Sequence, residues 1–118
     1  MLYIVTKGTG DATLASVPLH IAANGSLEVG QEVSVVLAGD ATDLIVDDNA
    51  QRVEGVGVPP MRDLLSKLGE HEVPVYVCKG CAVARGATEE SLKAIGGTWA
   101  GPPDVARLCA EADKVVTF

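Results

Sequence analysis

The sequence predicts an α/β domain, a three-layer sandwich with helices on both faces of a mainly parallel sheet of about five strands. Three observations lead there. Short β-branched runs alternate with helix-patterned stretches along the chain. Those runs are largely continuous in apolar residues, the pattern of strands covered on both faces. Hydrophobic residues make up 47% of the sequence but aromatics only 3%, so 17 Val and 15 Ala must fill most of the interior. Side chains that small let helices lie close to a sheet. The 118 residues fit one domain, residues 1–118. A chain of this length buries roughly two-thirds of its unfolded surface without disulfide help.

Leu2–Val5 gives the first strand, closed by the turn Lys7–Asp11. A helix follows over Ala12–Ala23, with Leu14, Ala15, Leu19, Ala22 and Ala23 as its apolar face. Pro18 is expected to kink this helix or delay its start, and Asn24-Gly25 to stop it. Val33–Ala38 is the second strand, ended by Gly39. Asp40 or Thr42 then caps a short helix carrying Leu44, Ile45 and Val46. Gln51–Pro60, with three valines, two glycines and two prolines, reads as a semi-extended loop.

Met61–Leu68 is the next helix, with Met61, Leu64, Leu65 and Leu68 on one stripe and Gly69 as its stop. Val73–Val77 is the third strand. A short helix starts just after Cys78 and breaks at Gly86, and another is capped at Thr88. A brief fourth strand falls around Thr98-Trp99. Pro102-Pro103-Asp104 opens a last helix, Asp104 to Ala112, and Lys114–Phe118 is the closing strand. Parallel order brings the turns Lys7–Asp11, Gly39–Thr42 and Cys78–Arg85 to one edge, where open α/β sheets bind ligands.

The formal net charge is −7 with no block of Lys or Arg, which argues against nucleic-acid binding through phosphate neutralisation. One Trp, two Tyr and one Phe leave little for base stacking. No window approaches the ~20 apolar residues of a membrane span. The opening MLYIVTKGTGD has no basic start and too short an apolar run for a signal peptide, so a cytoplasmic protein with reduced thiols is expected. Three cysteines, an odd number, fit poorly with a secreted disulfide framework.

The chemistry concentrates in VPVYVCKGCAVARG, residues 73–86. A Cys-x-x-Cys is a zinc clamp, a dithiol redox pair, a sulfur-handling site or two small core residues. Cys78 falls where a strand ends and a helix begins, so unpaired N–H groups and the cations Lys79 and Arg85 favour its thiolate. Lys79-Gly80 after it suggests an open turn. Cys81 either closes a reversible disulfide with Cys78 or packs inward. Cys78 is therefore expected to be the more reactive thiol.

Zinc needs about four ligands. Cys78, Cys81, Cys109, His20 and His71 offer no second Cys-x-x-Cys and no paired histidines, so no metal is expected. Cys109 shares a helix face with Val105, Leu108 and Ala112, which suits core packing. His20 is a candidate beneath the strand ends near Cys78, although a helical histidine is more often packed or solvated. Gly8 and Gly10 flank Thr9 in a turn with the look of a phosphate loop. Thr13 stands where the dinucleotide pattern needs its third Gly, and no P-loop Gly-Lys-Ser/Thr follows. A tight turn is the simpler reading, and no cofactor is expected.

Cys78-x-x-Cys81-x-x-Ala84-Arg85-Gly86, preceded by Val-Pro-Val-Tyr-Val, resembles the DsrE/DsrF-like family, and its YchN-like branch most closely. The likeness extends through the opening strand, PLHIAANGSLEVGQEVSVVLAGDA, GVGVPPMRDLL and the closing EADKVVTF. It implies a compact α/β/α domain that assembles into trimers or hexamers. It also implies a sulfur-relay role in which Cys78, framed by Arg85 and Gly86, carries a persulfide, with a sulfur-donor or sulfur-acceptor protein as partner. Cys81 departs from the single-cysteine relay proteins and matches the YchN-like branch. The expected function is thus a small sulfurtransferase-like carrier. The alternatives are a Cys78–Cys81 dithiol redox protein and a non-catalytic oligomeric subunit that binds a small ligand.

Overall fold

Five parallel strands form one sheet in the computed structural model, which describes residues 1–118. They are β1 Leu2–Val5, β2 Ser34–Leu37, β3 Val75–Cys78, β4 Thr98–Ala100 and β5 Val115–Thr117, in the order β4-β3-β2-β1-β5. The chain steps from β1 to β4 toward one edge, then crosses back to lay β5 against β1. Right-handed crossovers therefore put the first three connections on one face and the last on the other. Pairing such as Tyr3↔Val35, Val35↔Val75 and Val77↔Trp99 sets which side chains share a face.

The first connection is α1, Ala12–Ile21, continued by a wider π-helical stretch Ala22–Ser26. Asp11 caps it by accepting the Leu14 N–H at 3.0 Å, so the helix starts at once and runs through Pro18. Asn24-Gly25 does not stop it. Ala22, Ala23 and Ser26 are buried against the sheet, and the buried Tyr3 hydroxyl meets Ser26 Oγ at 2.6 Å. Packing overrides the local stop signal, and the left-handed glycine that turns the chain is Gly30.

Past β2 the chain makes a 3₁₀ segment, Gly39–Ile45, then a short helix α2, Asn49–Arg52, and then α3, Met61–Glu70. The region read as loop thus begins with a helical turn. Met61, Leu64 and Leu68 are buried as the stripe predicts, while Gly69 lies inside the helix and not at its stop. In the loop before α3, Val53 is buried and Val56 is 86% exposed. After β3 come α4, Lys79–Ala84, and α5, Glu89–Ala94. Gly86, at φ 97°, provides the break between them, a conformation that L side chains rarely adopt. Thr88 and Ser91 cap α5 reciprocally, at 3.1 and 3.2 Å.

Tyr3, Val5, Val35, Leu37, Val75 and Val77 face the first layer of helices and form the main core. The opposite face has a single helix, α6, Pro102–Glu111. Leu2, Val36 and Ala100 are buried there, but no residue of α6 is. Cys109 is accordingly half-buried, not the core residue its helix face predicts. One helix is too narrow to cover a five-stranded sheet. No helix is long and apolar enough to cross a membrane.

Candidate functional site

Cys78 ends β3 and is the N-cap residue of α4, as the strand run and the following Lys79-Gly80 predict. Cys81 lies in the first turn of that helix, and its sulfur is 3.2 Å from that of Cys78. Both thiols are free and half-buried. Lys79 and Gly80 are exposed on the outer side of the same turn, and no side chain closes over Gly80. Arg85 folds back along α4: Nη1 donates to the Cys81 carbonyl at 3.0 Å and Nη2 pairs with Asp40 Oδ1 at 2.9 Å.

The two thiols are unequal, and in the opposite order to the one a helix-start argument gives. The Cys78 thiol donates to the Cys81 sulfur. That hydrogen bond, the Gly39 amide directed at the same sulfur and the Arg85 charge together lower the Cys81 pKa against the cost of burial. At Cys78 the largest single influence is the Cys81 amide, which favours the thiolate without closing a capping hydrogen bond. The Cys81 side chain, burial and the Cys81 charge outweigh it, and the Cys78 thiol is pushed up. Such a pair holds its last proton between the two sulfurs, with the first lost below the usual thiol range of about 8.5 and the second above it. Of the two, Cys81 is the thiol shifted toward its thiolate.

Gly39 has φ 56°, a left-handed turn that leads from β2 into the 3₁₀ segment. That segment joins all three turns. Through Asp40, which meets Arg85, it holds α4. Through Asp43 it holds the turn after β1, whose Thr9 donates its N–H at 3.0 Å and its hydroxyl at 2.6 Å to the carboxylate. The loop amide that resembles a phosphate cradle is thus taken by the protein's own carboxylate. Gly8 is required by packing, because a methyl group there would overlap the Asp43 carboxylate and the Asp40 carbonyl. Gly10 faces open space.

His20 is not brought to the cysteines. It lies in the last turn of α1, toward the amino end of the sheet, with Nδ1 2.9 Å from Asn24 Nδ2. Cys109 is on α6 and joins neither sulfur. No three His, Cys, Asp or Glu side chains converge to hold a metal ion. Two surface grooves also lie away from the thiols, one between α3 and α5 and one under the amino ends of the strands. Sequence reasoning brings Gly39 and Asp40 to this edge within the turn Gly39–Thr42 but assigns them no role at the thiols, and it misses Asp43. The Gly-Asp pair after a strand was a signal, but it reads equally well as a cap.

Fold and site together define a parallel α/β domain with a reduced thiol pair at the carboxyl end of a central strand. The chain belongs to the DsrE/DsrF-like family, whose model matches residues 1–118. It is similar to the ychN protein from E. coli, whose crystal structure is 26% identical, with a TM-score of 0.73 over 99% of this chain and 97% of that one. That likeness agrees with the YchN-like branch suggested by the two cysteines. No curated protein matches the chain.

Proposed function

We propose that this protein is a cytoplasmic sulfur-relay carrier in which Cys78 holds a persulfide and Cys81 serves it as base and resolving thiol. The observation that carries the reading is the 3.2 Å approach of the two sulfurs at an open strand end. Family membership supports a sulfur-relay setting. Cys78 attacks the outer sulfur of a donor persulfide, the donor's S–S bond breaks, and the donor leaves as a thiolate. The Cys78 proton passes to Cys81, so charge and protons balance. The persulfide is then handed to an acceptor thiolate by the reverse exchange. Alternatively Cys81, once deprotonated, attacks the Cys78 sulfur, releasing hydrosulfide and leaving a disulfide. An open edge suits a sulfur donor or acceptor presented by another protein.

The same approach of two sulfurs favours a second reading, a dithiol that cycles against small-molecule disulfides. Intact mass after incubation with a persulfide donor separates the two. The carrier gains one sulfur on wild type, and Cys81→Ser retains it longest. A loss of two hydrogens with no sulfur-bearing species at any time supports the dithiol. If Cys78→Ser leaves the protein's cellular role unchanged, neither reading stands, and a non-catalytic binding subunit takes their place.

Self-association as a trimer or hexamer belongs to the same proposal. It is supported by the family and by apolar side chains in solvent, Val56 and Leu14 among them. Light scattering at micromolar concentration tests it, and a monomer would reject it.

A further inference from the structure

The two acids of the 3₁₀ segment differ in what they hold. Asp43 is turned to Thr9, whereas Asp40 reaches α4 and meets Arg85. Arg85 is anchored at two points only, Asp40 Oδ1 and the Cys81 carbonyl. One ion pair therefore ties the 3₁₀ segment to α4 at the turn that carries both sulfurs.

We propose that Asp40 is a positioning residue for the thiol pair: its carboxylate keeps the Arg85 guanidinium on the Cys81 backbone, beside the two sulfurs. Without it, a single hydrogen bond to a carbonyl holds a long side chain that gains rotamer freedom on release. The charged groups that bear on Cys81 are Cys78 at the end of β3, Arg85 and Lys79 on α4, and Asp40 on the 3₁₀ segment. Asp43 is committed to Thr9. The carboxylate of Asp40 opposes the thiolate directly, but it lies largely in solvent, where such a field is screened. Its grip on Arg85 outweighs its own charge.

The two effects have opposite signs, which makes the inference testable. It rests on Cys81 being the thiolate of the pair, and its readout does not involve persulfide chemistry, so it fails separately from the carrier reading. The rate of Cys81 alkylation by iodoacetamide is followed against pH in wild type, Asp40→Ala, Asp40→Glu, Arg85→Ala and the Asp40→Ala/Arg85→Ala double variant. Peptide mass spectrometry assigns the label, and thermal melting confirms the fold of each variant. Asp40→Ala is expected to move the profile to higher pH and slow labelling below the inflection roughly three- to tenfold. Asp40→Glu should restore most of it. The double variant should be no slower than Arg85→Ala alone, because both remove one device. A shift to lower pH, or none, overturns the inference.

Discussion

At the amino end of the sheet, Lys67 reaches Glu28 at 2.6 Å and Asn24 at 2.9 Å, and Asn24 in turn meets His20. At the carboxyl end, Arg85 reaches Asp40 at 2.9 Å and Asp43 holds Thr9. Both ends thus join separate elements by an exposed ion pair and an amide or hydroxyl contact. The first set ties the end of α1 to α3 and touches no nucleophile. The second lies at the turn that carries two sulfurs, and its Arg85 donates to the Cys81 carbonyl. An ion pair marks a functional site through what it holds in place, and its own strength is a poor guide, since exposed pairs contribute little to stability.

The largest expected difference between the two ends is chemical. Cys78→Ser should abolish the gain of a sulfur atom from a persulfide donor, read by intact mass, while Lys67→Met leaves it unchanged. Loss in both variants would mean that the whole fold, and not one end, supports the chemistry.

A smaller effect compares two glycines in one turn. Gly8→Ala forces a methyl group into the Asp43 carboxylate and the Asp40 carbonyl. Overpacking of this kind costs about 1–3 kcal/mol in urea unfolding. Gly10→Ala meets nothing within 4 Å and should change stability by less than about 0.5 kcal/mol. Equal costs would show that backbone freedom, and not the packing of the 3₁₀ segment, is what the turn needs.

The smallest effect belongs to Glu28. Its carboxyl lies below the usual range, first because Lys67 donates a hydrogen bond to it and then because of the Lys67 charge. A carboxyl lowered in the folded state stabilises the protein above its unfolded pKa of about 4.3, and that contribution fades as pH falls through the folded value. Glu28→Gln should therefore melt slightly below wild type at neutral pH and match it in acid or high salt. A difference that persists in molar salt would point to packing.

Much of this architecture is legible in the chain. Val73–Val77 followed by Cys-Lys-Gly marks a strand end and a helix start, and Thr88 marks a cap, because each signal acts within a few residues. Pro18 misleads because a cap at Asp11 and burial against the sheet outweigh its local cost. Cys109 misleads because an apolar helix face says nothing about how much sheet one helix can cover. The acidity order of the thiols is the least legible feature. Local reasoning gives Cys78 the helix terminus and the neighbouring cations. Beside the Cys78 thiol itself, the groups that bear on Cys81 include Gly39 and, through Arg85, Asp40, both about forty residues away and adjacent only because β2 pairs with β3.

Competitive alkylation reads whether Cys78 and Cys81 share one proton with the charge on Cys81. The folded wild-type protein is treated with limiting iodoacetamide across pH from about 5 to 9, a span that brackets the ordinary thiol near 8.5, and the three cysteine peptides are quantified by mass spectrometry. Cys81 should be labelled first and at the lowest pH. Cys78 becomes fast only when Cys81 is replaced by Ser, and Cys109 stays slowest in both proteins. Cys78 labelled ahead of Cys81 in wild type, or all three at one rate, would contradict that order.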